Sequence, residues 1–380
     1  MDKIIYLDHA ATTSVDERVL REMIPYFTNN YGNPSSVYSI GKINRKKIDN
    51  ARKQVAESIG AKPEEIYFTS CGSESDNLAI KGIAKAYKTR GRHIITSKIE
   101  HPAVLETCKT LEKEGFDISY INVDEKGIVK LDELKRAMRR DTILISIMYA
   151  NNEIGTIQPI EEIGRIARQN RIYFHTDCVQ AVGNLEIDVR KQNIDSLSMS
   201  AHKFYGPKGV GALYIRDGVG FVRQQDGGHQ EKDKRAGTEN VAGIIGLGKA
   251  IEISSRNLNE YNRHLKTLRD IYVRSIINRF KYIHVNGDID KRLPGNMNIS
   301  FLGIKGSDLV EELDKRGICC SSGSACSAGI IQPSKVILAT GANKNIAESA
   351  LRVTFGRENS VEDVKFLIDS LEDIVGKFRK

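Results

Sequence analysis

The chain has 380 residues and carries 57 Lys and Arg against 49 Asp and Glu, a net charge of +8. A hydrophobic fraction of 40% beside 28% charged residues excludes disordered and fibrous classes, and the length suggests roughly two or three domains. The longest uncharged apolar stretch, Thr142–Ala150, is far short of the ~20 residues a membrane helix needs. The opening MDKIIYLDHA lacks a basic and apolar leader, so no secretory signal is expected. Six cysteines in so long a chain suggest a reducing, cytoplasmic setting and no disulfide framework. The positive excess is small and dispersed, which gives nucleic-acid binding little support.

From about Glu65 to Tyr214, short apolar runs alternate with amphipathic ones. EIYFT (Glu65–Thr69), HIITS (His93–Ser97), ISYINV (Ile118–Val123) and TILISIMYA (Thr142–Ala150) predict strands, as do RIYFHTD (Arg171–Asp177), SLSMS (Ser196–Ser200) and VGALYI (Val210–Ile215). LDELKRAMRR (Leu131–Arg140) and IEEIGRIARQN (Ile160–Asn170) predict helices between them. The alternation implies an α/β fold: a mostly parallel sheet with helices on both faces and ligands at the carboxyl ends of its strands. VAGIIGLGKAIEIS (Val241–Ser254) reads as a helix with a small-residue face. Its near-match to a phosphate loop lacks the hydroxyl after Lys249 and follows no strand.

From Leu258, apolar residues stepping by three and four through Leu265, Leu268, Tyr272, Ile276 and Phe280 predict one long helix. Arg256, Arg263, Lys266, Arg269, Arg274 and Arg279 are expected on its wet side. Ser360 and Asp363 read as a capping pair opening a last amphipathic helix through Val364, Leu367, Leu371 and Ile374. The division expected is a large domain over 15–258 and a smaller α+β domain made of 1–14 and 259–380.

Four strand ends carry candidate chemistry. Lys203 follows SLSMS and His202 in a glycine-rich turn; an aldehyde cofactor needs such an amine, whose pKa of ~10.4 desolvation can lower. Asp177 closes an almost wholly apolar strand, where an acid is paired, metal-bound or functional; a protonated pyridine nitrogen is a fitting partner, and a local turn former is the alternative. Gly72 and Ser73 begin a helical run after EIYFT, where N–H groups can converge on a dianion, as they also can in any capped helix. His101, before Pro102, suits stacking on a ring and moving protons, or is a satisfied loop histidine. There is no C-x-x-C pair and no H-x-x-x-H helix, so no metal is expected. Nor does a G-x-G-x-x-G follow a strand to suggest a nicotinamide cofactor.

Taken together, in order and spacing, these segments resemble pyridoxal 5'-phosphate-dependent cysteine desulfurases of the NifS/IscS type, within the class-V aminotransferases of fold-type I. The resemblance runs from YLDHAATT (Tyr6–Thr13) and GNPSS (Gly32–Ser36) to LRVTFGRE (Leu351–Glu358). It implies a seven-stranded sheet in the large domain and a cysteine loop in the small one. It further implies that Lys203 holds the cofactor covalently, Asp177 pairs with its ring nitrogen and His101 stacks on the ring. Asn152, in NNEIG, and Gln180 would contact its polar edge; Gly72, Ser73, Ser200 and His202 would bind its phosphate. Thr238, in RAGTEN, would reach the phosphate from the second subunit of a homodimer. Arg352 would clamp the substrate carboxylate, assisted by Asn33. Cys326, in SSGSACSAG (Ser321–Gly329), would be the nucleophile.

The activity so implied converts L-cysteine to L-alanine, leaving a persulfide for acceptor proteins such as an iron–sulfur scaffold or a tRNA thiolase. Selenocysteine lyase or aminotransferase chemistry on the same scaffold is the alternative, though transamination needs no thiol. A non-catalytic or nucleic-acid-binding scaffold fits poorly with Lys203, Asp177, Cys326 and Arg352 all retained. Tyr38, Cys71, Cys178 and Asp233 depart from the residues common in the family, and the two cysteines raise an expectation of oxidation sensitivity. Cys319 and Cys320 read as core residues, bystanders or secondary sulfur acceptors.

Overall fold

The chain opens on β1 (Ile5–Tyr6), and the central sheet then collects β2 (Ile66–Thr69), β3 (His93–Ser97), β4 (Asp117–Ile121), β5 (Thr142–Ser146), β6 (Tyr173–Asp177), β7 (Ser196–Ser200) and β8 (Gly211–Ile215). Their order across the sheet is β2-β8-β7-β6-β5-β3-β4. Only β8 runs against its neighbours β2 and β7; the other pairs are parallel. These facts come from a computed structural model that describes residues 4–322 and 332–379. All seven predicted runs are strands. Two end early. β5 ends at Ser146, although Ile147 and Tyr149 N–H still donate to His175 O and Asp177 O of β6, while Met148 N–H goes to the buried Glu100 carboxylate at 2.9 Å.

Strand periodicity of two divides the core. In β8, Ala212 and Tyr214 join the cluster under the Ser39–Ser58 and Val241–Arg256 helices, while Leu213 and Ile215 join that under Gly72–Ala86 and Pro102–Lys113. Both faces are thereby covered, as a parallel sheet requires. The would-be phosphate loop is a packing surface: a Cβ on Gly248 would lie 2.7 Å from Ala51 Cβ on the facing helix.

A second core gathers most of the rest of the chain, while Val336, Ile337, Ala347 and Ala350 join the first. Beyond the Leu258–Arg279 helix come β9 (Ile283–Val285), β10 (Asn296–Phe301), β11 (Ile318–Cys319) and β12 (Ala350–Thr354). β10 pairs antiparallel with β9 and β12, and β11 pairs parallel with β1. Ile5 and Leu7 thus pack with Leu268, Tyr272, Leu351 and Leu371. One expectation fails here. Arg269 is 7% exposed and paired with Asp270 at 2.8 Å, because it lies one residue past Leu268 and four past Leu265, on the inward stripe. Among the described residues, no helix is long and apolar enough to cross a membrane.

Candidate active site

The YLDHAATT segment leaves β1 and clasps the turn after β7. Thr13 N–H and its hydroxyl both donate to His202 O, at 2.9 and 3.1 Å, and His202 Nδ1 is bonded to Thr12 Oγ1 at 3.1 Å. Lys203 Nζ donates to Ala10 O at 2.6 Å and Ala11 O at 2.7 Å, and Gln180 Nε2 donates to the same Ala10 O at 2.9 Å. A motif near the start of the chain therefore aims a lysine almost two hundred positions away. Burial, with help from the Lys203 and Lys208 charges, pushes His202 down to about 4, so it is neutral.

Asp177 ends β6 and is 5% exposed, with its Oδ1 accepting from Val179 N–H at 2.9 Å. Burial raises its carboxyl, and the His101 and Lys203 charges and the Val179 N–H pull it back. Such an acid is stabilised by a cation placed against it. His101 caps the Pro102–Lys113 helix: its Nδ1 accepts from Ala103 N–H at 3.1 Å. A backbone N–H only donates, so the neutral ring must carry its proton on Nε2. Burial favours that neutral form, opposed by Asp177 and aided by Lys203.

The phosphate-type end lies across the sheet. Gly72 opens the Gly72–Ala86 helix, and a Cβ there would sit 2.5 Å from Val179 Cγ2 and 3.6 Å from Ser200 Cβ. Ser73 is the next residue of that first turn, where free N–H groups and the helix dipole favour an anion. Ser200, at the end of β7, is buried.

Arg352 on β12 is 6% exposed; its Nη1 donates to Asn152 O at 3.1 Å and its Nη2 pairs with Asp8 at 2.8 Å. In the Asn151-Asn152 pair, the side chain of Asn151 bonds to Ile99 O and to the N–H groups of Glu153 and Ile154, and Asn152 offers its backbone O to Arg352. Asn33 and Thr238 are not drawn in by this chain alone. Asn33 is exposed and its Oδ1 accepts from Ser35 N–H. Thr238 is exposed and lines a separate cavity of about 120 Å³ with Ser70 and Arg235.

Cys326 lies outside the described residues. The chain approaches it from Ser321, whose N–H donates to Arg352 O at 3.1 Å. It returns at Ser334, whose hydroxyl donates to Glu153 Oε2 at 2.5 Å. Both ends of that segment are tied beside the residues that hold Arg352 and Asn152. The expected oxidation sensitivity needs narrowing: Cys178 is fully buried and burial holds its thiol well above the ordinary range, so it stays protonated and inert. Of these two cysteines, Cys71 is the partly exposed one. Cys320 is buried and pushed up to about 12, while Cys319 is half-buried on β11.

One residue escaped the reading of the sequence. Asp76 is 1% exposed, and its carboxyl, that of Asp177 and the His101 ring have polar atoms all within 4.8 Å of one another. The signal was present: Asp76 shares an inward helical stripe with Ala79, Ile80 and Ile83. Glu100 and His175 are buried nearby, Glu100 pushed up to about 8 and His175 down to about 3 by burial.

These residues fit pyridoxal 5'-phosphate. The amine at 203 lies close enough for its charge to act on the buried acid at 177. Among the described residues, Ser200 Oγ and Arg352 Nε are buried with no hydrogen-bond partner, each where an anionic oxygen would supply one. The cleft at Gly72 admits backbone but no side chain. Such a set, at the carboxyl ends of a mostly parallel sheet, defines a fold-type I enzyme of this cofactor.

Residues 5–367 match the aminotransferase class-V family, and the chain belongs to it. The cysteine desulfurase IscS of Clostridium botulinum strain Hall is 50% identical over 382 residues, covering 100% of this chain and 96% of that protein. The enzyme of the same description from Methanosarcina thermophila is 52% identical over 378 residues, covering 100% and 93%. A solved NifS-like protein superposes with a TM-score of 0.93 at 40% identity, over 99% of this chain and 100% of its own. The cofactor is pyridoxal 5'-phosphate.

Proposed function

We propose that this enzyme is a cysteine desulfurase working through Lys203, His101 and Cys326. The observation that carries the reading is the buried Asp177 beside His101 and Lys203, on a chain half identical to cysteine desulfurases over its full length. Bound pyridoxal 5'-phosphate supplies an electron sink for the charge left when a Cα proton is lost. Lys203 anchors it covalently, Asp177 faces its ring nitrogen, and Gly72 N–H, Ser73, Ser200 and His202 face its phosphate. Arg352 holds the L-cysteine carboxylate, with Asn33 assisting.

Lys203 would be the base that removes the Cα proton of the bound substrate. His101 is a proton donor from Nε2, the atom that its bond from Ala103 N–H leaves protonated. The Cys326 thiolate attacks the substrate sulfur: an S–S bond forms, the Cβ–S bond breaks, and its electron pair passes to the carbon skeleton, which is protonated and leaves as L-alanine. The persulfide on Cys326 then passes to an acceptor, an iron–sulfur scaffold or a tRNA thiolase. Thr238 serves the phosphate of a partner subunit, so the working form is a homodimer; six cysteines without a disulfide framework favour the cytoplasm.

Absorbance tests the anchor: the purified protein should be yellow, and Lys203→Ala should lose its covalently held cofactor. Cys326→Ser should bind cysteine yet release no sulfide under a reductant. Sulfide release at the wild-type rate would move the nucleophile elsewhere, and the buried Cys320, at about 12, is a poor substitute.

A further inference from the structure

Behind Asp177 lies an acid that none of these steps uses. Asp76 projects from the Gly72–Ala86 helix, which packs on β6 and β7. Ser198 hydrogen-bonds its side chain, and His175 Nε2 lies 3.6 Å from its Oδ1. His175 continues the row, with Nε2 bonded to Ser198 Oγ at 3.1 Å and Nδ1 to Ser146 Oγ at 2.9 Å. The titratable groups bearing on Asp76 are Asp177 and His175 from β6, His101 and Glu100 from the segment after β3, and Cys71 at the start of its own helix. Among the described residues no Lys or Arg forms an ion pair with it, and burial keeps His175 neutral.

Two carboxyls this close, shut off from water, do not both ionise; the proton stays on the one with less positive company. With the ring nitrogen against Asp177, the charge belongs there. We propose that Asp76 is a positioning residue that keeps its proton in the holoenzyme and so holds the single negative charge of the pair on Asp177. This rests on the role given to Asp177 above. A protonated Asp76 donates to Ser198 Oγ, Ser198 to His175 Nε2, and His175 Nδ1–H to Ser146 Oγ, so every bond in the row has one donor. An ionised Asp76 would leave a second buried charge with no cation to match it.

Infrared difference spectra of the pyridoxal-phosphate-loaded protein at neutral pH read the proton directly. The carbonyl stretch of a protonated, buried carboxyl is expected, lost in Asp76→Asn and kept in Glu100→Gln. An amide copies a neutral acid, so Asp76→Asn should leave the cofactor Kd within about threefold, while Asp177→Asn raises it by about tenfold or more. Glu100, which also keeps its proton, gives a separate band that Glu100→Gln removes; the absence of any band that Asp76→Asn removes overturns the proposal, as does Asp76→Asn weakening the cofactor as much as Asp177→Asn. If Asp76→Asn does not fold, Ser198→Ala replaces it: losing the hydroxyl must shift the Asp76 band, and an unmoved band also overturns the proposal. Failure of the underlying reading looks different, since Asp177→Asn would then bind the cofactor as the wild type does.

Discussion

At Arg352, two guanidinium nitrogens are already occupied, by Asn152 O and by Asp8, while the buried Nε has no partner among the described residues. A planar fork so fixed reads a carboxylate in one orientation, which a lysine ammonium cannot do. Arg352→Lys should therefore raise KM for cysteine by about 10–100-fold, with a smaller change in kcat; steady-state kinetics decide, and an unchanged KM removes Arg352 from the substrate. Thiol chemistry divides in the same way. Burial holds Cys108 at about 12 and keeps Cys178 well above the ordinary thiol range, so alkylation of the native protein should spare both until it unfolds. Peptide mapping after labelling checks this, and early modification of Cys178 would mean that its strand end opens to solvent.

Elements depend on a few contacts at their ends. The last helix, Val361–Phe378, starts from a reciprocal cap in which Ser360 Oγ accepts from Asp363 N–H at 3.2 Å and Asp363 Oδ2 from Ser360 N–H at 2.9 Å. Ser360→Ala should cost about 1 kcal/mol, seen as a lower urea midpoint. The short Gln230–Asp233 turn is a different case. Glu231, Lys232 and Asp233 all have left-handed backbones, with φ of 43°, 57° and 64°, where a glycine would be unstrained. They are held there by Glu231, whose carboxylate takes Arg52 at 2.7 and 2.8 Å and Phe68 N–H at 2.9 Å. Glu231→Ala strands a buried guanidinium on the Ser39–Ser58 helix and should cost about 3–5 kcal/mol. A loss below about 1 kcal/mol would show that the turn holds without this pair.

Over the whole molecule, the buried acids set how stability follows pH. Glu100 moves from 4.5 to about 8 on burial, so folded chains keep a proton that unfolded chains release across that interval. Stability from this group is full below the lower value and is lost as pH rises to the upper one. Glu100→Gln removes that loss, so the variant should gain on the wild type in urea midpoint between pH 5 and 8; a constant difference would contradict it. The exposed apolar residues Leu20, Ile24, Phe27, Tyr31 and Val37, close in sequence, are more than a lone subunit ordinarily leaves bare. If they meet a second copy, Phe27→Glu should turn a dimer into monomers by sedimentation, together with weaker cofactor binding through Thr238.

Local periodicity determined a great deal by itself. The seven strands, the long helix and the capped last helix follow from patterns two, three or four residues apart, because side-chain direction depends only on the backbone repeat. Lys203, Asp177 and His101 were legible because polar groups at the ends of apolar runs stand out against their neighbours. Distance across the sheet was another matter. That Ala10 and Ala11 carbonyls hold Lys203, that Asp8 braces Arg352, and that Asp76 stands behind Asp177 depend on contacts between residues far apart in the chain. Burial acts in the same way: Arg269 looked wet and Cys178 looked reactive until packing removed the water on which both expectations relied. Neighbouring side chains encode direction, whereas the dielectric and the company of each charge exist only once the two cores have closed around it.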